Sequence, residues 1–266
     1  YSQNQECFRF MIDPMLATGT EKVSAMGYGN AINALSDNEG GVAKYFSQRF
    51  AQVTNPPLDS IREAEGMTLR VALGAKPNIG LQKSRQIVIQ SPILSYSQML
   101  KIRNQKEVPA AFFNTLFKPV YGDMVSNERA LIAGIDRTCD EVEKFARVSG
   151  GVAILSDREV SRNCASISMT LIVSAVNQRL IETGLRLRVS LIVESGQICS
   201  SHHVACALGF GAAAVYPLGV QMRADEKFVD DPVGAYQKFT KAAEKALMKT
   251  MGKVGLCTVE SYSGGE

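Results

Sequence analysis

Gly151-Val152-Ala153-Ile154-Leu155-Ser156-Asp157 is a short apolar run that ends in a polar pair. A run of this length without polar alternation fits a strand buried on both faces, and it predicts a strand over 151–155 that stops at Ser156-Asp157. Downstream the same kind of unit recurs. A helix is predicted over Ser168–Thr183, with Gly184 just past its end, where a left-handed residue closes a helix. A strand at Arg188–Val193 follows, then a helix from about Ser200 to Leu208, Gly209, and a strand at Ala213–Tyr216. A long helix over Val233–Met251 ends at Gly252. Upstream, Ala110–Leu116 reads as a strand. Asn127–Val148 reads as a helix with Leu131, Ile132, Ile135, Val142 and Phe145 mainly on one face. Strand and helix in alternation predict parallel pairing through right-handed crossovers, with helices covering the sheet. The pattern fits a barrel or a doubly wound sheet and does not separate them.

Ligands in such folds gather at the carboxyl ends of the strands. Those ends carry Ser156-Asp157-Arg158, Glu194-Ser195-Gly196 and Pro217-Leu218-Gly219. Asp157 and Glu194 are candidates for a paired-carboxylate site. The competing and preferred expectation is that each caps a following helix and binds a lysine or arginine. Ser195-Gly196 has the look of an anion nest, yet no Gly-x-Gly-x-x-Gly and no P-loop lysine follows a strand. His202 and His203 are the only histidines. Neighbours on a helix point about 100° apart, so the two rings are not expected to share a metal. One ring is expected in the core and the other at a domain interface. On the last helix Leu247, Met248 and Met251 read as core filler.

The N-terminal part is less regular. Residues 5–17 predict a short helix that Pro14 breaks or kinks. Gly19–Asn38 reads as a surface loop, Leu69–Leu73 as a short strand, Gly74–Lys83 as a loop, and Arg85–Leu94 as β-prone. Ser95 or Ser97 should cap a helix that runs to about Gln105. Between these lies an amphipathic run, Gly41–Gln52, followed by Val53-Thr54-Asn55-Pro56-Pro57 and a second helix start at Asp59 or Ser60. Each proline forces the residue before it out of the helical region, so the chain makes a stiff elbow between two helices. Neither proline has an N–H. The elbow therefore offers carbonyls and few donors, a surface suited to a small polar ligand such as water or ammonia. A plain Pro-Pro corner would have the same sequence.

Composition narrows the classes. The 266 residues are 45% hydrophobic and 21% charged, with net charge +3 and no run of like charges, which gives no argument for nucleic acid. No apolar stretch approaches a membrane span. The six cysteines, Cys7, Cys139, Cys164, Cys199, Cys206 and Cys257, show neither a Cys-x-x-Cys nor a zinc-finger spacing. They are expected to be reduced and structural, with no metal. The start at Tyr1 and the end at Ser263-Gly264-Gly265-Glu266 read as boundaries within a longer polypeptide.

The stretch Phe50-Ala51-Gln52-Val53-Thr54-Asn55-Pro56-Pro57-Leu58-Asp59-Ser60-Ile61-Arg62-Glu63 resembles the F-x-Q-V-T-N-P-P-I-D-x-I-R-E signature of the glutamate synthase large subunit. Further blocks match in order: Asp13-Pro14-Met15, Ser24-Ala25-Met26-Gly27, Ala34-Leu35-Ser36-Asp37, Ile154-Leu155-Ser156-Asp157, Val189 to Gly196, and Lys249 to Tyr262. The family continues its last block Tyr-x-Gly-Ala-Gln, whereas this chain has Tyr262-Ser263-Gly264-Gly265-Glu266.

The resemblance implies the central domain of that enzyme, with an α/β, degenerate barrel-like fold and an irregular N-terminal helical part. It divides the chain into 1–84 with the elbow, 85–251 as the α/β core, and 252–266 as the junction to a following flavin-binding barrel. It implies no catalytic residue and no cofactor here; FMN and an iron–sulfur cluster belong to the rest of the enzyme. Partners implied are the amidotransferase and FMN-binding domains of the same polypeptide, and a small NADPH-oxidising subunit or ferredoxin. The implied location is the cytoplasm, or the plastid stroma in a plant or alga. The expected role is to join the two reaction centres of glutamate formation from glutamine and 2-oxoglutarate. Val53, Thr54, Asn55, Pro56 and Pro57 would line an ammonia tunnel, and Ser261 and Tyr262 would lie near the flavin domain. The alternatives are a self-sufficient α/β enzyme built on Asp157, Glu194 and a histidine, and a free-standing assembly or regulatory module.

Overall fold

Four strands form one parallel sheet: β3 (Ala110–Asn114), β5 (Gly151–Ser156), β7 (Val189–Ser195) and β8 (Ala214–Pro217), in that spatial order. The computed structural model describes residues 1, 3–22, 42–47, 60–77 and 85–265. In order along the chain, the other elements begin with a π-helical turn at Cys7–Ile12, α1 (Asp13–Thr18) and α2 (Ser60–Gly66). β1 (Val71–Leu73), β2 (Ile87–Ile89), α3 (Tyr96–Asn104), β4 (Leu116–Phe117) and α4 (Met124–Val148) follow. The rest are β6 (Ala165–Ser166), α5 (Met169–Glu182), α6 (Ser201–Gly209), α7 (Leu218–Lys227) and α8 (Pro232–Val254).

Each strand of the sheet lies beside its neighbour in sequence. With right-handed crossovers, such an order puts α4, α5 and α6 on one face. The side chains agree. Phe113 packs edge-on against Phe145 of α4, with ring centroids 5.7 Å apart. By the period-two alternation, Leu155, Leu191 and Val193 share that face, while Phe112, Ile154, Ser156, Glu194 and Tyr216 point the other way. The sheet is singly wound, the connectivity of a barrel wall. The doubly wound alternative needs a reversal of strand order that is absent among these strands.

The segment before α3 meets the far edge: Ile93 bridges Val215 of β8 in parallel, with Leu94 N–H to Val215 O at 2.8 Å and Val215 N–H to Pro92 O at 2.7 Å. From there α3 leads back to β3 at the opposite edge. Its start is set by a capping box, with Ser95 Oγ accepting from Gln98 N–H and the Gln98 side chain accepting from Ser95 N–H. Strand β7 is buried along its whole length, as a strand covered on both faces must be.

The N-terminal segment packs on the outer helices. Ile12, Met15 and Leu16 are fully buried and α1 lies along α8. Asp13 accepts from Arg223 Nε and Nη2 at 2.9 and 3.0 Å and also binds Lys227. Pro14 does not break this helix. It falls at the start of α1 within a run that is helical from residue 5, and the winding changes there from π to α. Of the run Gly41–Gln52, only a 3-10 turn at Val42–Tyr45 and the two residues after it are described. Val53, Thr54, Asn55, Pro56 and Pro57 lie outside the described residues, as does nearly all of the loop at Gly19–Asn38.

Several boundaries differ from expectation. Helix α4 begins at Met124 rather than Asn127, because Asp123 Oδ1 accepts from the N–H groups of Val125 and Ser126. Helix α8 passes through Gly252; its left-handed closing residue is Gly255, at φ +78°. A helix for which the sequence reading had no element, α7, starts directly after β8. A Cβ on Gly219 would stand 2.8 Å from Gly196 O, so this glycine serves close packing rather than a turn. The Thr258–Tyr262 segment, which reads from the sequence as a strand following the Gly255 turn, is not one. It forms a 3-10 turn at Val259–Tyr262, with one parallel bridge between Thr258 and Thr68. Glu260 in that turn accepts from Ala72 N–H and pairs with Lys76 Nζ at 3.1 Å, which fixes the turn against β1.

Candidate functional site: the carboxyl ends of the strands

Asp157 follows β5 and is 2% exposed. Its Oδ2 accepts from Ser195 Oγ at 2.6 Å, Ser166 Oγ at 3.0 Å and Gln197 Nε2 at 3.3 Å; Oδ1 accepts from Gly196 N–H at 3.0 Å. Burial pushes the Asp157 carboxyl above its usual range, against the pull of these hydrogen bonds. The expectation of a helix cap with a basic neighbour is overturned for Asp157. Its side chain ties the end of β5 to the end of β7, and among the described residues no lysine or arginine pairs with it. Distance along the chain hid this network, since Ser195, Gly196 and Gln197 lie 38 to 40 residues away. The N-terminal arm seals it from outside: Tyr1 Oη donates to Asp157 O at 3.1 Å, and Gln3 Nε2 donates to Gly196 O.

Glu194 points to the other face. It is 3% exposed and accepts from Ser156 Oγ at 2.6 Å. Arg158 grips it with two parallel hydrogen bonds, Nε to Oε1 at 2.9 Å and Nη2 to Oε2 at 3.0 Å. Here the expected arginine partner is found. Asp157 bonds Ser195, whose side chain alternates to the opposite face from Glu194. The two carboxylates therefore do not converge as an acid–base pair.

A cleft of about 340 Å³ opens over the Glu194 face. Tyr96, Met99 and Arg103 of α3 stand on one side and Phe112 and Asn114 of β3 on another. Arg103 lies over the Phe112 ring, 5.0 Å from its centroid. The Arg158–Glu194 pair is part of the lining, so the most buried charges there already neutralise each other.

The nest at Ser195-Gly196 is not a phosphate cradle. Gly196 gives its N–H to Asp157, and the Tyr1 ring fills the space beside it, 2.4 Å from where a Cβ would sit. The residues at this strand end do not fit the phosphate of FMN.

His203 is a core histidine. Its Nδ1 is 2.8 Å from Ser200 Oγ, and burial lowers its pKa to about 4. His202 Nε2 donates to Ala43 O at 2.7 Å, joining α6 to the N-terminal segment. The ring centroids stand 6.1 Å apart at an interplanar angle of 66°, and the two rings hold separate partners. Ser261 and Tyr262 lie at the other end of the molecule. Ser261 Oγ contacts Thr258 Oγ1 at 2.6 Å, and the Tyr262 ring packs near Gly209, where α6 leads into β8. No group of three or more metal-ligating side chains occurs among the described residues.

The model of the family described as the glutamate synthase central domain matches residues 1–266. The ferredoxin-dependent glutamate synthase of Cyanidium caldarium is 31% identical over 100% of this chain and 18% of its own length. The NADPH glutamate synthase large chain of Bacillus subtilis is 31% identical over 95% of this chain and 17% of its own. A chloroplastic ferredoxin-dependent glutamate synthase of Arabidopsis thaliana is 32% identical over 100% of this chain and 17% of its own. The chain thus spans less than a fifth of the relatives that it matches. Among solved structures, an arginine-to-lysine mutant of flavocytochrome b2 overlaps 64% of this chain and 38% of its own at 13% identity, with a TM-score of 0.42, too low to bear on the fold.

Proposed function

This chain belongs to the glutamate synthase central-domain family, and from that membership we propose that it is a non-catalytic connector between an amidotransferase domain and an FMN-binding domain. The enzyme containing it would make glutamate from glutamine and 2-oxoglutarate, with FMN and an iron–sulfur cluster held outside this chain. Ammonia released at the first site would pass along Val53, Thr54, Asn55, Pro56 and Pro57 to the second. Two prolines would restrict that backbone and have no N–H groups, which would leave carbonyl acceptors for ammonia along the path.

The observation that carries this reading is the match over all 266 residues to a domain that makes up 17–18% of much longer glutamate synthases. Two features of the structure support it. The buried carboxylates at the strand ends are saturated by serines, a glutamine, a backbone N–H and Arg158, which leaves them poorly placed for acid–base work. Tyr1 lies at the carboxyl ends of the strands and Tyr262 near their amino ends, so the core can hold two neighbours apart. On this reading residues 1–84 carry the conduit, 85–251 form the spacer and 252–266, with Ser261 and Tyr262, meet the flavin domain. Ferredoxin-dependent and NADPH relatives match equally, at 31% identity each, which suits a domain outside the choice of electron donor. Cytoplasmic or plastid placement accords with the chloroplastic relatives; among the described residues no helix is long and apolar enough to cross a membrane.

In the enzyme that contains this chain, Asn55→Ala should release more ammonia from glutamine than is recovered as glutamate, while synthesis from added ammonium persists. Stoichiometric coupling in that variant would reduce Asn55 to an ordinary loop residue.

A further inference from the structure

Cys7 and Cys199 are 192 residues apart in sequence, yet their sulfurs stand 3.6 Å from each other. Cys7 sits half-buried on the π-helical turn, while Cys199 is 3% exposed in the loop between β7 and α6. The contact is a weak thiol hydrogen bond, and a disulfide needs a sulfur separation of about 2.05 Å. Closing the gap takes a shift of about 1.5 Å, within the reach of small χ1 rotations.

We propose that Cys7 and Cys199 form a reversible disulfide site that staples the N-terminal arm to the loop at the carboxyl end of β7. The arm already holds this end of the sheet at two points, through Tyr1 to Asp157 and Gln3 to Gly196. The covalent bond adds a third point and closes a loop of nearly two hundred residues. The pair is asymmetric in a way that orders the chemistry. Cys7 is reachable from solvent, and the hydrogen bond from Cys199 favours its thiolate. Cys199 is shielded and kept as a thiol by that contact and by burial.

The oxidant is a small-molecule disulfide such as oxidised glutathione. The Cys7 thiolate attacks one of its sulfurs, forming a mixed disulfide; one glutathione leaves and takes up the proton that Cys7 lost. Cys199 sulfur then attacks Cys7 sulfur. The second glutathione leaves with the Cys199 proton, so two protein thiols are oxidised and one small disulfide is reduced to two thiols.

The protein carrying this chain, equilibrated in glutathione buffers of graded ratio, then alkylated, digested without reductant and weighed, tests the site. The expected product is one cross-linked peptide pair joining Cys7 to Cys199, lighter by two hydrogens and lost on treatment with dithiothreitol. Cys139, Cys164, Cys206 and Cys257 should remain outside the cross-link. Oxidation should raise the melting temperature by several degrees, as expected when a long loop is closed in the unfolded chain. Cys7→Ser, a change at a half-exposed position, should remove both the cross-link and the shift. Finding Cys7 and Cys199 separately alkylated where exposed Cys257 is already glutathionylated would overturn the proposal. So would a mixed disulfide that stays on Cys7 beside a free Cys199.

Discussion

Asp157, Glu194 and His203 are buried ionisable groups held in three different ways, and each makes its own prediction. Glu194 depends on Arg158, whose side chain is 49% exposed. Arg158→Ala should cost about 1–3 kcal/mol in urea unfolding, less than for a fully buried pair because water screens half of the arginine. His203 stays neutral in the fold down to about pH 4, whereas an unfolded chain protonates it below about 6.5. Its folded value is depressed, so stability is lost as pH falls through that window, by roughly 3 kcal/mol at the lower end. Asp157 acts in the opposite sense. Its folded value is raised, so its contribution to stability grows as pH falls through that value toward the ordinary carboxylate range. Stability followed from pH 7 to pH 4 should therefore fall less steeply in His203→Gln and more steeply in Asp157→Asn. Parallel curves for the two variants and the unsubstituted protein would contradict both assignments. At this scale the sequence was informative only locally. The histidines could be placed on a helix, and a lysine or arginine partner could be foreseen for Glu194, but most donors around Asp157 come from the next sheet strand's end, which no local spacing encodes.

At the scale of elements, Gly150 and Gly151 set the entry of β5. Gly151 has φ +116°, and a Cβ there would meet Pro109 O at 2.2 Å. Gly184, at the end of α5, has a similar need for positive φ, +70°, but open space around it. Gly184→Ala should cost about 1–2 kcal/mol, the strain of the left-handed backbone alone. Gly151→Ala should cost distinctly more, because the β3–β5 junction must also move; equal melting points for the two variants would contradict this. Ser95→Ala, which removes the cap of α3, should cost about 1 kcal/mol by the same measurement. Most of the alternation from Ala110 to Val254 was legible because buried strands and amphipathic helices leave different apolar periods. Helix α7 was not, since Pro217 and Gly219 carry breaker signals, and Gly219 is there for the close packing of α7 against the loop after β7. The 3-10 turn at Val259–Tyr262 was hidden for a related reason: its shape follows from Glu260 reaching Ala72 and Lys76.

Among the described residues the core is a singly wound parallel sheet with helices on its outer face and α3 crossing toward the inner one, beside two short antiparallel pairs, β1–β2 and β4–β6. That strand order could not be read from the alternation, which is identical for a barrel wall and a doubly wound sheet; pairing is a long-range property. The elbow at Val53–Pro57 lies outside the described residues, and its proposed use as a conduit belongs to the scale of the enzyme containing this chain. A conduit shields ammonia from bulk water, where it would be protonated and would mix with free ammonium. The most direct measurement gives that enzyme amide-15N-glutamine, 2-oxoglutarate and its electron donor in the presence of a large excess of unlabelled ammonium, and reads the isotope in the glutamate formed from 2-oxoglutarate. A sealed passage predicts that the 15N is retained almost undiluted in the unsubstituted enzyme and is diluted toward the ammonium pool in Asn55→Ala. Dilution to the same extent in both would contradict the account.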